Sequence, residues 1–142
     1  MFRKDRRIVN KQRKPEAFYQ KLAYLFYAVA DADGKVEKKE LVKLHEEVLA
    51  IWKAIDDSVD EFNTDLSFEI EAVFDWLEEN QFSYKDALTE FKDYALEHRS
   101  LFDAEIRSKI MHTCRELAGV YRSISLQEEN ILHDIDRFLE IL

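Results

Sequence analysis

The chain has 142 residues, enough for one domain with a full-sized core, and at 46% hydrophobic and 13% aromatic it is too apolar for a disordered chain. Two glycines and one proline are too few for the tight turns of an all-β fold, so an all-α domain is expected. The net charge of −9 is uneven: Arg3, Lys4, Arg6, Arg7, Lys11, Arg13 and Lys14 stand against one acid, Asp5, in residues 1–14, and removing these from the totals of 21 basic and 30 acidic residues leaves residues 15–142 with 14 against 29, a balance of −15.

That imbalance makes the body a poor general nucleic-acid binder, because it repels a phosphate backbone. The basic tail, residues 1–14, reads first as a solvated terminal arm. Its charge also suits an anionic surface, either nucleic acid or membrane, or the acidic body itself. A lone cysteine, Cys114, excludes an intrachain disulfide and fits a reducing compartment. The charged N-terminal stretch has no apolar run behind it, so no signal peptide is read there. No stretch of about 18 apolar residues occurs, and no membrane span is expected. The expected location is the cytoplasm.

The elements are read in chain order over residues 15–142. Pro15 suits the first position of a helix, where its missing N–H costs nothing. Phe18, Leu22, Leu25, Phe26 and Val29 then repeat at helical spacing, until Gly34 breaks the pattern. A second helix carries Leu41, Leu44, Val48, Ile51, Trp52 and Ile55. An acidic link, Asp56 to Asp65, leads to a third with Leu66, Ile70, Val73, Phe74 and Leu77. Ser83, with Asp86 three residues on, reads as the N-cap of a fourth helix bearing Ala87, Leu88, Phe91 and Ala95. Ser100 and Asp103 repeat that spacing before a fifth, with Ile106, Ile110, Leu117 and Ala118. Ser125-Leu-Gln-Glu128 is a complete capping box opening the last helix, with Ile131, Leu132, Ile135 and Phe138 inward. Trp76 and Tyr94 fall off or at the edge of these apolar faces, and Phe62, Phe82 and Phe102 lie in or beside links.

A shift of 88 residues lays the first helical pair on the last. Leu22, Phe26, Val29 and Ala30 meet Ile110, Cys114, Leu117 and Ala118; Glu40, Leu44 and His45 meet Glu128, Leu132 and His133. The expected architecture is therefore a single compact domain of about six helices, with two related helix-turn-helix units around a central helical pair.

The turn Val29-Ala-Asp31-Ala-Asp33-Gly34-Lys-Val36-Glu37-Lys-Lys-Glu40, an alanine-rich helix end followed by acids around a glycine and a glutamate six residues later, together with the repeat, resembles the TerB-like (tellurite-resistance protein B-like) helical family. The resemblance covers residues 15–56 and 102–142. It implies a compact all-α domain tied to tellurite and stress resistance, with an acidic surface that binds a divalent cation or a partner. Carried over, it points to Asp31, Asp33, Glu37 and Glu40. The second turn has Gly119, Tyr121 and Arg122 where the first has Asp31, Asp33 and Gly34, which departs from a symmetric pair of ion sites.

Read from its residues, the turn echoes an EF-hand loop, with Asp31, Asp33 and Glu40 at positions three, five and twelve, but position one is Val29. A true EF-hand is excluded by that missing ligand. A looser Ca²⁺ or Mg²⁺ site using hard carboxylate oxygens remains, beside the plainer reading of solvated helix ends. His45, His98, His112 and His133 show no zinc spacing, and Cys114 lies on an inward helix face. No phosphate loop, nucleophile elbow or zincin motif occurs, so an enzyme is not expected. The expected role is a cytoplasmic binding or scaffolding domain with a protein partner. Its alternative is a regulator that docks on nucleic acid or an anionic membrane through the tail.

Overall fold

The computed structural model describes residues 16–32, 46, 60–118 and 126–142, with the side chains of residues 60–68 and 71 left aside. These residues form five α-helices and one 3₁₀ turn and no strand. Helix α1 is Glu16–Asp31, α2 Asp60–Glu79, α3 Tyr84–Glu97, α4 Ala104–Ala118 and α5 Leu126–Ile141, with the 3₁₀ turn at Arg99–Leu101. The all-α expectation holds. The expected second helix lies outside the described residues, apart from Glu46, which is helical and exposed.

α1 organises the core. Its expected face, Phe18, Leu22, Leu25, Phe26 and Val29, is fully buried, and so are Ala23, Ala28 and Ala30 on its other sides. Only Glu16, Gln20, Lys21 and Asp31 are polar along it, and a helix with so wide an apolar surface belongs inside a fold. It packs against α2, α3, α4 and α5, most extensively against α3 and α2. The two middle helices of the expected arrangement, α2 and α3, thus flank α1. Two aromatic plugs lie in the links: Phe82, between α2 and α3, packs edge-on to Tyr24 at 5.9 Å, and Phe102, beyond α3, lies 5.4 Å from Phe18 and 5.9 Å from Phe91.

Side-chain pairs set the directions. Gln20 Nε2 donates to Glu69 at 2.6 Å, and Tyr27 lies against Phe74, so α1 and α2 run the same way. Lys21 bridges to Glu90 at 2.8 Å while Tyr24 meets Phe82 and Phe18 meets Phe102, so α3 runs opposite to α1. Arg107 Nη1 donates to the Leu139 carbonyl at 3.1 Å, tying the start of α4 to the end of α5 and satisfying one of that helix's terminal carbonyls. Lys92 ties α3 to α5 through Asp134 at 2.7 Å.

The four repeat positions are buried in both helices: Leu22, Phe26, Val29 and Ala30 in α1, and Ile110, Cys114, Leu117 and Ala118 in α4. α5 opens at Leu126, directly after the expected cap residue Ser125, and buries Ile131, Leu132, Ile135 and Phe138. Burial pushes the Cys114 thiol far above its ordinary pKa, so no thiolate forms there near neutral pH.

Three expectations need correction. The acidic link was expected to run to Asp65, yet α2 already begins at Asp60. Acids in a first turn are favoured by the positive end of the helix dipole, so this run suits a helix start as well as a link. The second cap is Asp103, not Ser100: Asp103 Oδ1 accepts from the Ile106 amide at 2.9 Å, while Ser100 sits in the 3₁₀ turn. Burial of Phe102 holds that turn in place and delays the helix by three residues. Tyr94 is buried rather than marginal, its ring stacked on His98 at 4.1 Å. The Ser83 cap is as expected, its hydroxyl accepting from the Lys85 amide at 3.2 Å.

This assignment separates two neighbouring polar residues. Asp103→Ala should lower stability by about 1 kcal/mol through the lost cap, and Ser100→Ala should leave it nearly unchanged, as measured by urea denaturation.

Candidate functional site

Because α1 and α2 are parallel, their C-terminal ends meet at one corner. Each end carries the negative pole of its helix dipole, and the Trp76, Leu77 and Glu78 carbonyls of α2 accept from the amides of Asn80, Phe82 and Gln81 in the turn that follows. Neither helix has a basic residue in its last turn to offset this. α1 ends instead on Asp31, and α2 on Glu78 and Glu79. Charge of this sign at a helix C-terminus costs on the order of 0.3–1 kcal/mol per group, so the corner is built against local stability and draws cationic groups.

Tyr27 sits between the two ends. Its hydroxyl donates to the Phe82 carbonyl at 2.9 Å, and its ring packs edge-on to Phe74 at 5.5 Å. Burial, with the carboxylates of Asp31 and Glu78 nearby, pushes its pKa up to about 12. The repulsion from both carboxylates shows that Asp31 and Glu78 bear on one point from different helices. Asp31 is half-buried, at the last residue of α1.

Toward the N-terminal side of this corner, a groove of about 330 Å³ opens between α1 and α2, lined by Gln20, Lys21, Tyr24, Ala72, Val73 and Trp76. Two of its lining rings are braced by a third: Phe82 lies 6.1 Å from Trp76 and 5.9 Å from Tyr24. Trp76 remains 50% exposed, the largest apolar side chain to do so among the described residues. Next to the groove, Glu69 of α2 accepts from the lining residue Gln20 at 2.6 Å, and Glu79 is the last residue of α2. The one basic lining residue, Lys21, is held over the Tyr24 ring at 4.7 Å and paired with Glu90. An exposed tryptophan beside acids gives this surface an apolar centre and a charged rim.

Of the acidic residues singled out in the sequence, the structure places Asp31 here; Asp33, Glu37 and Glu40 lie outside the described residues, as does the tail with Arg3, Lys4, Arg6, Arg7, Lys11, Arg13 and Lys14. Among the described residues, no group of three or more His, Cys, Asp or Glu is arranged to hold a metal ion. His98 is exposed in the turn that ends α3, His112 and His133 are exposed on α4 and α5, and His45 is outside the described residues. Trp76 and Phe82 stood out in the sequence as aromatics off the apolar pattern. Tyr27 and Glu78 did not, because only the parallel packing of α1 and α2 brings them to Asp31.

A second cleft of about 460 Å³ lies between α4 and α5, lined by Arg107, His112, Arg115, Asp136 and Glu140 among others. Its charges largely cancel: Arg115 faces Asp136 at 3.9 Å, and Arg107 is committed to the Leu139 carbonyl. No described helix is long and apolar enough to cross a membrane. Comparison with family models, curated proteins and solved structures finds no match to this chain.

A phenol whose pKa is raised in the folded state favours folding fully below its ordinary value of 10.0, and that contribution is lost as pH rises toward about 12. Stability should therefore fall between these values, at up to about 1.4 kcal/mol per pH unit from this group. Tyr27→Phe should flatten the slope, although loss of its hydrogen bond to Phe82 costs about 1 kcal/mol at neutral pH. Denaturant melts at successive alkaline pH values would show both effects; an equal slope in the variant would refute the assignment.

Proposed function

We propose that this chain is a TerB-like helical binding module that captures a protein partner at the edge formed by α1 and α2. The observation that carries the reading is the half-exposed Trp76, backed by Phe82 and Tyr24 and set beside the acids that close α1 and α2. The apolar groove supplies the buried centre of an interface, and Glu69, Glu79 and the Asp31–Glu78 corner select a partner segment that carries positive charge. Asp33, Glu37 and Glu40 extend the acidic edge in sequence, and a Ca²⁺ or Mg²⁺ ion held by these carboxylates with Asp31 would tune its charge. The family resemblance supports the link to tellurite and stress resistance.

Two measurements test it. Trp76→Ala should lose the partner recovered by the wild-type chain from its native cell extract while its helical circular dichroism is unchanged, and Asp31→Asn with Glu78→Gln should weaken capture and reduce its salt dependence. Retention of every partner by both variants would refute the reading. Titration with Ca²⁺ and Mg²⁺ to roughly millimolar levels should move amide resonances within residues 31–40; no movement would remove the ion from the reading and leave the groove.

A further inference from the structure

α4 and α5 run in opposite directions: the start of α4 meets the end of α5 through Arg107 and Leu139, and Arg115, about two turns on, faces Asp136. Between them lies the cleft of about 460 Å³. We propose that this cleft binds a free α-amino acid with a large apolar side chain, its carboxylate held by Arg115 on α4 and its ammonium by Asp136 and Glu140 on α5.

The first support is the division of charge between the walls. Among the described residues, α4 lines the cleft with Arg107, His112 and Arg115 and with no acid, while α5 lines it with Asp136 and Glu140 and with no base. A ligand of one charge is attracted to one wall and repelled by the other. A ligand that carries both charges meets the opposite sign on each side, and the reversed orientation sets like charges together. Because the walls nearly cancel, a simple ion gains little by entering, whereas a dipolar ligand gains from both.

Hydrogen-bonding capacity is the second. Arg115 Nη2 stands 3.9 Å from Asp136 Oδ2, beyond hydrogen-bond reach, and the two side chains are 58% and 42% exposed. An exposed pair at this spacing contributes little to stability, so opening it costs little. The guanidinium fork suits a carboxylate, which accepts two parallel N–H bonds from it, and the Asp136 carboxylate accepts from an ammonium. In an amino acid these two groups are one carbon apart. One small headgroup therefore bridges the helices where Arg115 and Asp136 face each other without a hydrogen bond. The cleft beside α3 differs in this respect, since Lys92 bonds Asp134 at 2.7 Å and lies over the Phe138 ring at 5.5 Å.

The third support is a base that is both fixed and apolar. Arg107 Nη1 donates to the Leu139 carbonyl at 3.1 Å and its Nε to the Asp103 carbonyl at 3.4 Å, so this arginine holds the helices together and the cleft stands open before a ligand arrives. Met111 and Leu139, which also line the cleft, are 8% and 2% exposed, and they give the amino acid's side chain an apolar bed. Methionine adapts to the shape of an apolar group. The volume lies within the usual range of small-molecule sites.

This site is built on α4 and α5, so its test does not depend on the partner groove between α1 and α2. In the full chain, L-phenylalanine should shift the Arg115 and Asp136 amide resonances and the Met111 methyl resonance saturably, with an apparent Kd of roughly millimolar. 3-Phenylpropionate, which lacks the ammonium, and phenethylamine, which lacks the carboxylate, should each bind at least about tenfold more weakly. L-Alanine, which lacks the large side chain, should also bind more weakly. Arg115→Gln should reduce phenylalanine to the level of phenethylamine. Asp136→Asn with Glu140→Gln should reduce it to the level of 3-phenylpropionate. Helical circular dichroism should be unchanged in both variants, because these side chains are exposed at the rim of the cleft. The absence of a saturable shift at roughly 20 mM phenylalanine would overturn the proposal. So would equal binding of either single-charge analogue by the parent, or a variant that keeps the parent's preference for phenylalanine. Parity of L-alanine with L-phenylalanine would overturn the assignment of an apolar ligand.

Discussion

The fold depends on burying most of one helix. α1 carries aromatic and aliphatic residues on its main face and alanines beside it, and the described part of the chain covers all of these while Gln20, Lys21 and Tyr24 stay half-buried at the groove. Large side chains reach outward from it to α2 and α3, while the alanines let neighbouring backbones approach closely. With Phe18, Leu22, Leu25 and Phe26 all fully buried, each contributes on the order of 1.5–3 kcal/mol of transfer free energy, which is large beside the net stability of an ordinary domain. The ion pairs from α1 and α3, Lys21–Glu90 and Lys92–Asp134, are partly exposed and contribute register more than stability.

The same constraint produces the candidate site. A helix in the middle of a bundle must have neighbours on either side, and the order of the chain makes α2 run parallel to it and α3 antiparallel. Parallel packing brings two helix C-termini together, and the sequence places acids at both. Opposed dipoles in antiparallel neighbours would have cancelled much of this field; here they add. Tyr27 shows the result, because a buried phenol flanked by Asp31 and Glu78 gives up its proton late. The groove follows from the same pairing, since the link that turns α2 back into α3 sets Phe82 beneath Trp76 and Tyr24.

Much of the architecture was legible in the sequence because helical periodicity and capping are local. The inward faces of α3, α4 and α5 were read correctly at Phe91, Ile110 and Ile135, and α5 begins at Leu126, where the sequence put its start. The errors came where local signals compete with packing. Ser100 offers as good a cap as Asp103 by spacing, and only the burial of Phe102 decides between them. Tyr94 looks marginal on a helical wheel, yet α3 lies so close to α1 that the edge of its face is covered as well. The candidate site was half legible. Asp31 and Trp76 announce themselves, one by acidity at a helix end and the other by standing off the apolar stripe. Their neighbours Tyr27 and Glu78 depend on which helices run parallel, and no local pattern encodes that.

The central place of α1 has a consequence for how the protein is made. This helix leaves the ribosome before the segments that cover it, and its broad apolar face stays without a full set of neighbours until α5 has been synthesised. A nascent chain in that condition is sticky for most of its translation, and it is the sort of intermediate that holdases protect. Slowing elongation late in the message would lengthen that exposure, whereas the finished domain covers most of that face.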